Sequence, residues 1–417
     1  MVRVRRVVLG SVLSVLLGSA QAAPSGLIAY IHDLSGKIEL RTVRPDGSGD
    51  HAILTLPING EVFTPELAWR PDGAELGFVS DHEATTSVYD SDLYAVKPDG
   101  SGLRRITNGP DASALTGHKT ASVTVNVRLV NSSGQLASGG PFIVYVQGAA
   151  APQTVTSSKT LRFDHVAVLP GRTQFAVVMS GVHRWINAGV GKPLTPGKVT
   201  DLGTLTVSGD GLREFGANDF SWRSDGGALL YRFGECCLYR VGAHPRENDT
   251  GEQITKTEGF AAKVAYGPAS RAKDFLYTEY DPSQGTRILL GQEGRTGAQA
   301  VFAPQNSGQS IYSMAWLPDG SGFVYSMVGL DEYGLTPVNS NLYLYRFATR
   351  NSTPITTFES AYVVRVSVSP DGQQLVFEHS SDNQAVDGLW LVGLDGSNPH
   401  VLVKGPNVAR PAWGAVK

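Results

Sequence analysis

Trp69-Arg70-Pro71-Asp72-Gly73, followed two residues later by Leu76-Gly77-Phe78-Val79, is the stretch whose reading decides the fold. Pro presets φ near −65°, Asp bonds back to its own backbone, and Gly takes the left-handed position. The result is a tight reversal between an aromatic-ended strand and an apolar one. The unit returns as Trp222-Arg223-Ser224-Asp225-Gly226 before Leu229-Leu230-Tyr231, and as Trp316-Leu317-Pro318-Asp319-Gly320 before Phe323-Val324-Tyr325. It returns again as Val368-Ser369-Pro370-Asp371-Gly372 before Leu375-Val376-Phe377, and in degraded form at Tyr266-Gly267-Pro268-Ala269-Ser270 before Phe275-Leu276-Tyr277.

A second turn follows in several copies: Asp46-Gly47-Ser48, Asp99-Gly100-Ser101 and Asp395-Gly396-Ser397. Four hairpin-joined strands recurring every 44 to 52 residues describe the blades of a β-propeller. The first strand signal, Leu27 to Tyr30, has no Trp strand before it. The chain ends with Arg410-Pro411-Ala412-Trp413-Gly414, a Trp strand with nothing after it. The two ends complement each other, so the last strand is expected to close the ring by completing the first blade. Inner strands then end at Trp69, Trp222, Tyr266, Trp316, Val368 and Trp413, which makes six blades with no open sheet edge between the ends.

The interval from Trp69 to Trp222 is 153 residues, so roughly 100 are extra. They fall at 113–207. Val123-Thr124-Val125-Asn126-Val127-Arg128-Leu129-Val130 and Pro141-Phe142-Ile143-Val144-Tyr145-Val146 alternate as half-buried strands do, which predicts a small antiparallel β-sandwich. The expected fold class is all-β: a six-bladed propeller with an inserted antiparallel β-sandwich. The expected organisation is a signal peptide at 1–22, blades 1 and 2 at 23–112, the insert at 113–207, and blades 3 to 6 at 208–417.

These residues carry two resemblances. Trp-x-Pro-Asp-Gly, an apolar strand, Asp92-Leu93-Tyr94, Pro-Asp-Gly-Ser and Arg105-Ile106-Thr107 resemble the WD40-like repeat of TolB-type propellers over 27–108 and 215–417. Blade two matches best, and blade four has lost the acidic turn. The resemblance implies a protein-interaction module that uses the channel region. The insert resembles carboxypeptidase-regulatory-like, transthyretin-like domains at Phe163-Asp164-His165-Val166-Ala167-Val168-Leu169-Pro170-Gly171 and at Val199 to Val207. That likeness implies a fold and no activity.

The first residues set the expected compartment. Arg3, Arg5 and Arg6 precede the apolar run Val7 to Leu17, and Ala20-Gln21-Ala22 is a small-x-small cleavage pattern. No later stretch is long and apolar enough to cross a membrane. The expectation is a periplasmic or secreted protein with no transmembrane segment after cleavage. The mature chain then carries 32 basic against 38 acidic residues, a charge of −6, which gives no sign of a nucleic-acid partner. The insert carries eight basic residues against Asp164 and Asp201, or +6, which leaves −12 elsewhere. Either that charge is merely solvated, or the insert faces an acidic propeller rim or an anionic envelope polymer.

Familiar catalytic signatures are missing: there is no Gly-x-Ser-x-Gly, His-Glu-x-x-His or Walker loop. No catalytic residue, metal or cofactor is assigned. The adjacent Cys236 and Cys237 admit two readings, a strained vicinal disulfide or two small residues at a strand hairpin. Loop acids Asp81, Glu83, Asp90, Asp331, Glu332, Asp382 and Asp387, with His82, either hold Ca²⁺ or serve as ordinary polar loop chemistry.

Aligning the inner strands yields the candidate site. Three residues before each Trp-equivalent stand Glu66, Asp219, Lys263, Ser313, Arg365 and Arg410, all polar. One residue before it stand Ala68, Ser221, Ala265, Ala315, Ser367 and Ala412, all small, as close packing near an axis requires. This predicts a polar ring at one solvated mouth of the channel. Two readings stand: neighbour pairing, Asp219 with Lys263 and Arg410 with Glu66, or a ligand or peptide site. The functional expectation is an exported, non-enzymatic binding scaffold with an envelope or secreted protein partner. The alternative is a carbohydrate-binding or polysaccharide-active propeller. Some relatives of TolB-type propellers are lyases that use a metal and a channel His, and no His stands at the six ring positions.

Overall fold

The computed structural model describes residues 25–416, leaving out 58–65, 84–90, 108–116, 132, 137–141, 170–173, 180–184, 191, 209–215, 235–236, 246–250, 257–259, 282–284, 307, 332–335 and 382–385. The signal-peptide expectation at 1–22 lies outside the described residues. Among those described, no helix is long and apolar enough to cross a membrane.

The chain is an all-β propeller, and among its described residues the propeller part forms six four-stranded sheets. Five are sequential meanders. The sixth combines three N-terminal strands, Leu27–Asp33, Lys37–Val43 and His51–Pro57, with the C-terminal strand Val408–Gly414. Val408–Gly414 pairs antiparallel with Leu27–Asp33, matching Ile28 to Trp413 and Ala29 to Ala412. The innermost strands Leu67–Trp69, Ala217–Trp222, Phe260–Tyr266, Ile311–Trp316, Tyr362–Val368 and Val408–Gly414 each pack on the next and return to the first.

The recurring turns behave as their residues dictate. The amides of Ala74, Gly227, Ser321 and Gln373 donate to Asp72, Asp225, Asp319 and Asp371 at 2.8–3.0 Å. The second turn repeats this, with Ser48, Ser101 and Ser397 amides donating to Asp46, Asp99 and Asp395 at 2.9 Å. Gly100 shows why glycine stands there: its φ is +80°, and a Cβ would lie 2.0 Å from the carbonyl oxygen of Ile53 in the preceding sheet.

Three of the four Trp residues that end inner strands brace them to the previous blade. The indole of Trp69 donates to Ala412 O at 3.1 Å, that of Trp222 to Ala68 O at 3.0 Å, and that of Trp316 to Ala265 O at 3.0 Å. The acceptors are the small residues of the preceding inner strand, so the ring buries its largest side chains without orphaning their N–H groups. Asp92-Leu93-Tyr94 and Ile106-Thr107 form another fastening. Thr107 Oγ1 donates to Asp92 at 2.7 Å and accepts the Leu93 amide at 3.0 Å.

Between the second and third sheets lie a four-stranded and a three-stranded sheet. Both line one core that includes Val123, Val125 and Val127 from Thr120–Val130, Phe142, Val144 and Val146 from Phe142–Val146, and Leu161, Phe163 and Leu205. The expectation of a wholly antiparallel insert needs one amendment, because Val199–Ser208 runs parallel to Thr120–Val130. The long connection through the other sheet returns the chain to the same end, which antiparallel hairpin logic does not anticipate.

Candidate functional site

Five of the six ring side chains are placed by a local break in strand geometry. Register shifts interrupt the pairing between Ala217 and Phe220, Ala261 and Val264, Ile311 and Ser313, and Val363 and Val366, and at the matching point near Arg410. These bulges re-aim one residue per inner strand. Arg410 adopts φ 58°, a left-handed value uncommon for a residue other than glycine. Glu66 directly precedes the short strand Leu67–Trp69, and its carbonyl accepts the Val79 amide at 3.2 Å.

All six predicted ring residues line one cavity of about 240 Å³ on the channel axis. Glu66 is its hub. Glu66 Oε1 accepts from Lys263 Nζ at 2.8 Å, from Arg365 Nε at 3.1 Å and from Arg410 Nη1 at 2.5 Å. Those cations belong to the fourth, sixth and first blades, so one carboxylate from the second ties across the channel. Lys263 also reaches Asp219 at 3.0 Å. The neighbour pairs Asp219–Lys263 and Arg410–Glu66 therefore both form, with cross-axis contacts added.

Three ring positions have a further structural duty. Asp219 Oδ1 accepts the Val264 amide and Ser313 Oγ the Val366 amide, each at 3.0 Å, joining consecutive inner strands. Ser221 and Ser367 repeat the stitch on Tyr266 and Trp413 at 2.9 Å. Arg365 donates to Tyr312 O at 2.7 Å. Reading along the strands missed Glu378, whose carboxylate accepts the Arg410 amide at 2.5 Å. Its signal was a lone acid inside the apolar strand Gln374–Ser380.

The ring is less solvated than its sequence suggests. Side-chain exposures of Asp219, Lys263, Arg365, Arg410 and Glu66 lie between 10% and 17%. Burial opposes ionisation of Glu66, yet Arg365, Arg410 and Lys263 more than offset it and hold the carboxyl well below the usual range. Burial dominates at Asp219 and raises its pKa despite Lys263, with the Glu66 charge adding to the rise. Burial likewise lowers Lys263 despite Glu66.

The loop acids are engaged within the chain where they are described. Glu83 meets Arg105 at 3.4 Å, and Asp387 accepts from Ser381 and pairs with His379 Nδ1 at 2.8 Å. Asp90, Glu332 and Asp382 lie outside the described residues, as do Arg172 and Arg184 of the insert. Among the described residues no group of three or more His, Cys, Asp or Glu is placed to hold a metal ion. Cys237 is disulfide-bonded, and Cys236, outside the described residues, is the only other cysteine of the chain.

Fold and site together define a β-propeller with a charged cluster lining a cavity between its six inner strands. No protein-family model matches the sequence, and no curated protein matches it. Among solved structures, TolB from Acinetobacter baumannii is similar with a TM-score of 0.51 and 14% identity, covering 94% of this chain and 67% of that one. That likeness supports the propeller fold. An oligogalacturonate lyase in complex with manganese is similar with a TM-score of 0.38 and 14% identity, over 92% of this chain and 86% of that one. The β-propeller domain of the Trilobed protease from Pyrococcus furiosus has a TM-score of 0.41 and 10% identity, over 91% and 93%. The expectation that the chain is not an enzyme is withdrawn, since missing motifs do not exclude catalysis on this architecture.

Proposed function

We propose that the chain is an exported cell-envelope interaction protein whose partner docks at the charged channel mouth. The observation that carries this reading is the convergence of Glu66, Asp219, Lys263, Arg365 and Arg410 on one cavity at the axis. Buried charges are weak stabilisers, because desolvation cancels much of their attraction. Five of them at the mouth of a ring already closed by strand pairing and Trp braces suit recognition better than stability. We further propose the division into a leader at 1–22, propeller segments at 23–112 and 208–417, and a transthyretin-like insert at 113–207. The insert's own apolar core supports that division.

The test is site-specific photo-crosslinking in intact envelopes. Tyr280, 43% exposed, pairs with Phe260 at the end of its blade where the inner strand begins, on the mouth face. Ser48 is exposed in a turn on the opposite face. A photoactivatable residue at Tyr280 should capture one defined protein that the same residue at Ser48 does not. Equal capture at both positions, or capture at Ser48 alone, would move the interface away from the mouth.

A further inference from the structure

We infer that the three cations at the mouth form a carboxylate-binding site now filled by the protein's own Glu66, and that a peptide carboxylate of the partner takes its place. This rests on the mouth being the docking site. Lys263 Nζ, Arg365 Nε and Arg410 Nη1 all converge on a single atom, Glu66 Oε1. They come from three blades and, among the described residues, share no other acceptor. Arg365 and Arg410 both point fixed guanidinium donors at that spot, the geometry suited to a carboxylate.

Glu66 is the replaceable member of the cluster. Asp219 and Ser313 are bonded to backbone amides of the next blade, so their removal unpicks a strand junction. Glu378 likewise accepts the Arg410 amide. Among the described residues the Glu66 carboxylate meets only side-chain cations, and its residue lies just outside the short strand Leu67–Trp69. Its exchange breaks no backbone hydrogen bond of its carboxylate.

Charge accounting selects the ligand class. Swapping one carboxylate for another keeps every buried cation paired. A neutral or cationic group entering instead would leave the cations uncompensated, the costly state for a buried ion pair. The cavity of about 240 Å³ is also several times the roughly 30 Å³ share of one water. It accommodates a carboxylate together with a few atoms of the chain that bears it.

The probe is the dipeptide N-acetyl-Gly-Gly with a free C-terminal carboxylate, compared with its C-terminal amide, by titration calorimetry on the whole protein. Glu66→Gln removes the internal competitor while keeping side-chain shape. It should bind the acid at least about tenfold more tightly than wild type, and neither protein should bind the amide. Adding Lys263→Met to Glu66→Gln should weaken that binding again. If Glu66→Gln does not fold, Glu66→Asp retracts the carboxylate by one methylene and should show the same tightening in smaller degree. Equal acid affinity in wild type and the folded variant, or equal binding of acid and amide, overturns the proposal. Capture at Tyr280 that persists alongside such a failure would discard the carboxylate and keep the mouth. Acid binding with no capture at Tyr280 would discard the mouth reading alone.

Discussion

Deleting residues 408–417 removes the strand that joins the end of the chain to its beginning. Leu27–Asp33 then loses its inner partner and presents Ile28, Ala29, Tyr30 and Ile31, all at most 1% exposed in the closed ring. Val408, Ala412 and Trp413 are buried as well. Losing a buried Val costs about 1.5–3 kcal/mol and losing a buried Trp about 3–5 kcal/mol. Also lost are the Trp69 indole's acceptor on Ala412, the Ser367 stitch to Trp413, and one of the three cations on Glu66. Together these losses rival the roughly 5–15 kcal/mol by which a typical domain is stable. The unpaired edge also invites association. Circular-dichroism melts and size-exclusion chromatography should show loss of the cooperative transition and soluble aggregates. A synthetic peptide spanning 406–417, added during refolding, should restore both. A truncated protein that stays monomeric and melts at the parental temperature would refute ring closure by the C-terminal strand.

Replacing 113–207 with a short Gly/Ser linker should leave a cooperatively melting propeller, and the excised segment should fold alone, because its buried residues pack on one another. An insoluble propeller together with an unfolded isolated segment would show the boundaries to be wrong. Asp219 has a raised pKa, so its proton is held more tightly in the folded state. Its contribution is therefore full below the ordinary Asp range and is lost as pH rises through the raised value. Urea midpoints of wild type and Asp219→Asn, which can still accept the Val264 amide, should favour wild type most at acid pH and converge on it, or cross, towards neutrality. A gap that widens with rising pH would contradict the assigned direction. Reversing Arg365 and Arg410 to Glu would set three carboxylates together at the mouth, so the double variant should melt well below wild type. An unchanged melting temperature would mean that those charges are solvated.

The blade repeat was legible because local chemistry writes it. Asp72, Asp225, Asp319 and Asp371 cap their own turns, and Trp69, Trp222 and Trp316 require a carbonyl and a small neighbour in the preceding blade. The six ring positions were legible for the same reason, since they keep a constant offset from those Trp-equivalents. The cross-axis contacts of Glu66 were not. They join residues 197, 299 and 344 positions apart through side-chain reach, which strand offset does not specify. The bulges that turn Asp219, Lys263 and Arg365 inward leave no residue signature comparable to Pro-Asp-Gly. The depth of burial was misjudged because position at a mouth says nothing about how far neighbouring side chains close over it. The parallel pairing of Val199–Ser208 depends on a long return connection rather than on alternation within the strand.

Hydrogen–deuterium exchange on the protein with the partner captured through Tyr280 tests the central claim most directly. The account predicts new protection at the mouth ends of the inner strands, around 66–67, 217–219, 260–263, 311–313, 362–365 and 408–410. It predicts none in the turns at 46–48 and 99–101. Protection confined to those turns, or to the sheet containing Thr120–Val130, with the inner-strand starts unchanged, would contradict it.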